Sequence, residues 1–151
     1  MFEIVEIQTL SGGTIGMGPQ PNTADDFAQL SEYGADHIIT LTETHEWQLG
    51  DFETHARAAS PNWHHHPVRD FTAANADINP LVDTLTDALA SGGKIFIHCR
   101  GGCGRTGMLA MRLLILAGED ADAALLRLRG VRPCAVEKKS QEFWARFGLN
   151  A

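Results

Sequence analysis

"HCRGGCGRTG", residues 98–107, decides how the rest of the chain is read. It follows the apolar run "KIFI" (94–97) and leads into "MLAMRLLILAG" (108–118), so its glycines, cysteines and arginines stand between an expected strand and an expected helix. A turn of that kind directs several backbone N–H groups into one concavity, and the helix dipole adds partial positive charge there. Residues 100–105 therefore read as an anion cradle: Arg100, Gly101, Gly102, Cys103 and Gly104 supply the curved backbone, and Arg105 offers phosphate oxygens a planar, two-pronged donor. Cys99 falls at the bottom of the cradle, where the same amides, dipole and arginine favour the nucleophilic thiolate. Covalent phosphoryl transfer requires that combination of nucleophile and anion site. Thr106 stands where its hydroxyl would hydrogen-bond the sulfur and help it depart.

Working outward, "FEIVEIQTL" (2–10) alternates like a strand, and "SGGTIGMGPQP" (11–21) is a turn region with one short strand. "ADDFAQLSEY" (24–33) predicts a helix capped by Asn22 or Thr23, with Asp25 and Asp26 in its first turn and Gly34 at its end. "HIITL" (37–41) and "NWHHHPV" (62–68) read as strands separated by a polar stretch with helical fragments. "ADINPLVDTLTDALASGG" (76–93) predicts a helix with Leu81, Leu85 and Leu89 on one stripe. After the cradle come three helices, ending near Gly118, near Gly130 and near Gly148. Strands separated by helices indicate one α/β domain over residues 1–151, with a central, largely parallel sheet flanked by helices. In such sheets the site lies beyond the carboxyl ends of the strands.

With 151 residues, 44% of them hydrophobic, the chain is sized for one buried core. A formal charge of -7 argues against nucleic acid or an anionic membrane surface as the main partner. No stretch is apolar for the roughly 20 residues that a bilayer span needs, and the acidic start lacks the features of a secretory signal. An odd count of 3 cysteines without framework spacing fits a reducing compartment, so a cytoplasmic monomer is the expectation.

Cys99, five residues, then Arg105, preceded by His98 and followed by Thr106 and Gly107, resembles the signature of the cysteine-dependent protein-tyrosine phosphatase superfamily. The stretch "GGTIGMGPQPNTADDFAQLSEYGADHIITLTE" (12–43) is similar to the first half of its compact, dual-specificity and kinase-associated branch. The resemblance implies a hydrolase that needs no metal or organic cofactor and acts on a phosphorylated protein or a small phosphoester. It also implies an aspartate general acid upstream of the cysteine. "HHHPVRD" (64–70) resembles that segment and makes Asp70 the acid, with Asp77 and Asp51 as alternatives. "VRPCAVEKKSQEFWARF" (131–147) resembles an arginine-proline turn followed by a helix whose glutamine, Gln141, positions the attacking water. The alternatives are a phosphoinositide or metabolite phosphatase of the same fold, a phosphate-binding module without turnover, and a rhodanese-like sulfurtransferase.

Other residues carry two readings each. Cys103 is a small loop filler or the partner of Cys99 in a reversible disulfide, and Cys134 is structural. His64 and His66 share a face along a strand, as metal ligands or as residues orienting the acid loop. Trp63 belongs to the core or to a pocket wall. Arg127, Arg129 and Arg132 complement a helix dipole.

Overall fold

A computed structural model describes residues 2–150. Five strands form one sheet: β1 (Val5–Gln8), β2 (Thr14–Gly18), β3 (His37–Thr40), β4 (Trp63–His65) and β5 (Lys94–His98), in the order β1-β2-β5-β3-β4. β1 pairs antiparallel with β2, and every other pairing is parallel. The largely parallel sheet expected from the sequence is therefore present, with a single hairpin at one edge.

Six helices cover it: α1 (Ala24–Tyr33), α2 (Phe52–Ala59), α3 (Asn79–Ala90), α4 (Gly104–Leu116), α5 (Ala121–Val131) and α6 (Lys139–Phe147). The alternation of β5 explains the layering. Ile95 and Ile97 join Ile39 and Leu41 in a cluster with residues of α3, α4, α5 and α6, whereas Phe96 faces Ile38 and the residues of α1 and α2. Both sheet faces are thus apolar and covered, as a parallel sheet requires.

Local chemistry sets the element ends. Of the two cap candidates for α1, Thr23 serves: its Oγ1 accepts from the Asp26 N–H at 3.1 Å, while the Asp26 carboxylate accepts from the Thr23 and Asn22 amides. Gly34 closes that helix in the left-handed region at φ 75°. The buried stripe of α3 is Val82, Leu85 and Leu89, with Leu81 only partly covered, because the helix is rotated so that Val82 faces the sheet. No helix among the described residues is long and apolar enough to cross a membrane.

Candidate active site

The carboxyl ends of β2, β3 and β5 converge on the loop that joins β5 to α4. β5 ends at His98, so Cys99 is the first residue beyond it, and Cys99 is a buried, free thiol. The loop turns back at Gly102, whose φ of 77° is a left-handed conformation and whose missing Cβ lets it lie against the Gly18 carbonyl. None of the backbone N–H groups from Arg100 to Thr106 donates to another protein group among the described residues. A run of unspent donors beside a buried thiol, at the start of a helix, is an arrangement that can accept an anion.

Arg105 completes it, and its hydrogen bonds define which edge is free. The guanidinium is 1% exposed; Nη1 donates to Glu46 Oε2 and to the Val68 carbonyl, both at 2.8 Å, and Nη2 donates to Glu46 Oε1 at 2.9 Å. Nε–H is buried without a partner. The second Nη2–H lies on the side of Asp70 Oδ1, 3.4 Å away. Two parallel donors on the Nε–Nη2 edge therefore remain for a bidentate oxyanion. Hydrogen bonding from Arg105 holds the Glu46 carboxyl below its ordinary range against the effect of burial. Burial works against the Arg105 charge, but the Glu46 hydrogen bond and the neighbouring Cys99, Glu46 and Asp70 outweigh it and keep the guanidinium firmly protonated.

His98 is fully buried beneath the loop. Burial pushes its pKa down to about 4, so the ring is neutral at ordinary pH. Its tautomer follows from its partners: Nδ1 faces the Cys99 carbonyl at 3.2 Å and must donate, and Nε2 therefore accepts from Thr40 Oγ1 at 2.7 Å. The indole of Trp63 donates in turn to Thr40 Oγ1 at 2.9 Å. A chain of hydrogen bonds from Trp63 through Thr40 and His98 thus fixes the backbone of Cys99. Trp63 stands in the apolar cluster on the α1–α2 side and not in the cavity wall. Thr106 is buried, and its hydroxyl has no protein partner.

Over the loop lies a cavity of about 260 Å³ lined by Asp70, Phe71, Cys99, Arg100, Gly101, Cys103, Arg105 and Glu137. Asp70 is half exposed at its mouth and accepts from the Phe71 N–H at 2.9 Å. Of the alternatives to Asp70, Asp77 lies against His66 at 3.8 Å and Asp51 against His55 at 3.1 Å, both outside this cavity. Gln141 is fully buried beside the cavity: its Oε1 accepts from the Glu137 and Lys138 amides at 3.1 Å, and its Nε2 donates to the Thr72 carbonyl at 3.3 Å.

Two expectations, on Cys103 and on the arginines, need correction, and the two readings of the histidines can be compared with their contacts. Cys103 is bonded to Cys134, with Cα atoms 5.1 Å apart, and not to Cys99; the reading of unpaired cysteines fails with it. The pair is 31 residues apart and is brought together only because the turn after α5 folds over the back of the cradle. Arg129 and Arg132 do more than complement a dipole. Arg132 donates to the carbonyls of Gly101 and Gly102, and Arg129 to those of Ala135 and Val136. His64 and His66 do not converge on one point: His64 stacks on His37, with Nε2 2.9 Å from its Nδ1, while His66 faces Asp77.

Sequence reading missed Glu46, Glu137 and Thr40. Thr40 ends strand β3 and Glu46 follows it at the carboxyl edge of the sheet, which is a usable signal, but nothing local separates Glu46 from Glu43.

The family model described as "Polymorphic toxin system, DSP-PTPase phosphatase" matches residues 14–119, more than half of the chain. The chain belongs to this family of DSP-PTPase phosphatases. It is 35% identical over 80 residues to mouse protein tyrosine phosphatase domain-containing protein 1, a match spanning 52% of this chain and 10% of that protein. Among solved structures, kinase associated phosphatase with its catalytic site cysteine replaced by serine superposes with a TM-score of 0.83 at 20% identity, covering 95% of this chain and 92% of that one. Tk-PTP in its active form gives 0.77 at 23% identity, covering 92% of each chain. At those identities the two structures share the fold with this phosphatase.

Proposed function

We propose that this phosphatase hydrolyses phosphomonoesters through a phosphocysteine intermediate, as a protein-tyrosine or dual-specificity protein phosphatase. Cys99 Sγ attacks phosphorus while the cradle amides and the Nε–Nη2 edge of Arg105 hold the equatorial oxygens. Asp70, at the cavity mouth, protonates the departing ester oxygen. The Thr106 hydroxyl then stabilises the sulfur as it leaves when water releases phosphate. Phe71, exposed at the mouth under the Lys138 ammonium at 5.3 Å from its ring, offers an apolar face to an aromatic leaving group.

The observation that carries this reading is the buried Nε–H of Arg105, unspent beside a buried cysteine while the rest of the guanidinium is committed to Glu46 and Val68. The test is hydrolysis of an aryl phosphate in chelator and reductant by wild type, Cys99→Ser and Asp70→Ala. Chelator-resistant turnover that is lost in Cys99→Ser and weakened in Asp70→Ala is expected. Turnover that survives in Cys99→Ser would overturn the mechanism.

A further inference from the structure

Release of phosphate from a phosphocysteine needs a water in line with the P–S bond and a base to take its proton. A second carboxylate is present in the same cavity. Glu137 lines the cavity with Cys99, Arg105 and Asp70. Its Oε1 occupies the space that a Cβ on Gly104 would need, and the Gln141 amide lies 3.0 Å from the same point. Gly104 opens α4 and belongs to the cradle, so Glu137 stands against the wall that would hold the phosphoryl group.

Glu137 has no arginine, lysine or histidine within ion-pair distance among the described residues. Such a carboxylate repels a phosphate dianion, and turning it outward to solvent would relieve that repulsion. Although Glu137 is exposed, its side chain lines the cavity, and the backbone that carries it is fixed against the cradle. Val136 sits at φ 64°, a left-handed conformation that is a genuine outlier for a β-branched residue. Val136 N–H donates to the Cys103 carbonyl at 3.2 Å, Arg129 grips the Ala135 and Val136 carbonyls, and the Cys103–Cys134 disulfide ties the turn to the cradle. Gly104 and Gly107, three apart on one helix face, leave the groove in which residues 135–137 lie.

Resting on the phosphocysteine reading above, we infer that Glu137 is the base of the dephosphorylation step. The oxygen of a water bonds to phosphorus, the P–S bond breaks with its electron pair returning to Cys99 as thiolate, and Glu137 accepts the water proton. Inorganic phosphate leaves with that oxygen. Gln141 is a positioning residue that acts through Glu137, because its Oε1 fixes the Glu137 and Lys138 amides. Asp70 keeps the first step, protonation of the leaving group.

The experiment is rapid-mixing hydrolysis of an aryl phosphate by wild type, Glu137→Gln and Cys99→Ser, with intact-protein mass measurement of the quenched samples. Glu137→Gln is expected to release one equivalent of aryl alcohol per enzyme at the wild-type rate, then turn over about 10²-fold more slowly, with the phosphoryl adduct accumulating on Cys99. Glu137→Asp is expected to recover part of the second rate, which a merely structural role would not require. Glu137→Gln that turns over like wild type, or that loses burst and steady state together, overturns the assignment while leaving the phosphocysteine mechanism intact. Failure of that mechanism itself has a different signature: turnover by Cys99→Ser without an adduct in any variant.

Discussion

The loop from Val68 to Thr72 and the loop from Arg132 to Lys138 each bring a carboxylate to one cavity beside a left-handed residue that is not glycine: Asp70 beside Phe71, and Glu137 beside Val136, both at φ 64°. They are held differently. The first is anchored at its ends, where Val68 N–H donates to Leu41, the Val68 carbonyl accepts from Arg105, and the Thr72 carbonyl accepts from Gln141. Its tip is closed by the Thr72 amide and hydroxyl on the Arg69 carbonyl, and beyond that turn carries the bond from the Phe71 amide to its own neighbour Asp70 and the Asp70–Arg105 contact at 3.4 Å. The second is stitched to the cradle by a disulfide, by Arg132 and by the Val136 amide, and to α5 by Arg129. An acid must meet leaving groups of different size, so a tip that yields serves it. A residue that directs water at one phosphorus needs a fixed frame.

The largest expected effect tests the cradle that both loops serve. Cys99→Ser should lose on the order of 10⁴-fold or more in kcat while still binding inorganic phosphate, since the amides and the Arg105 edge remain; titration calorimetry checks the second half. Asp70→Asn should cost about 10²–10⁴-fold, with the loss greatest for esters whose leaving group is a poor one. Equal losses for aryl and alkyl esters would mean that Asp70 does not protonate the leaving oxygen.

The middle of the scale concerns the buried floor. His98 has a folded pKa of about 4 against the usual 6.5, so between those values the unfolded chain binds a proton that the folded chain does not. Stability therefore rises with pH across that window, is complete above about 6.5, and is lost as pH falls towards 4. The shift corresponds to about 3 kcal/mol, read as the total rise in unfolding free energy across that window in urea melts at a series of pH values. His98→Asn should flatten that rise. Cys134→Ser should destabilise by about 2–4 kcal/mol yet lower kcat less than tenfold, because Arg132 and the Val136 amide still hold the turn. A collapse of activity at unchanged stability would show that the disulfide alone sets the second loop.

What the sequence disclosed follows the same division. Cys99, Arg105 and the glycines lie within ten consecutive positions, so local order was enough to single them out, whereas Asp70 was singled out only by the resemblance of residues 64–70 to a family segment. The parallel sheet was legible from apolar runs alternating with helical patterns. Glu46 and Glu137 were not, because their roles depend on contacts with Arg105, 59 positions from Glu46, and with Gly104. The Cys103–Cys134 bond escaped for a related reason: spacing of 31 residues says nothing about a turn that folds over the cradle. Arg129 and Arg132 read as helix-end charges because their carbonyl acceptors lie outside the helix.

The smallest effect separates the loops by sign. A left-handed conformation costs an L-residue roughly 1–2 kcal/mol, which glycine would recover, less the roughly 0.5–1 kcal/mol that its extra freedom costs on folding. Phe71 is 55% exposed and loses little buried surface on truncation, so Phe71→Gly should unfold at the wild-type temperature or slightly above it. Val136 is 5% exposed and packs in the main core, where removing its side chain forfeits about 1.5–3 kcal/mol of burial. Val136→Gly should therefore be less stable, since lost burial outweighs relieved strain. Calorimetric melts of the two variants decide it. Opposite ordering would mean that Phe71 is held by contacts stronger than those of a yielding tip, and the contrast between a movable acid and a fixed base would go with it.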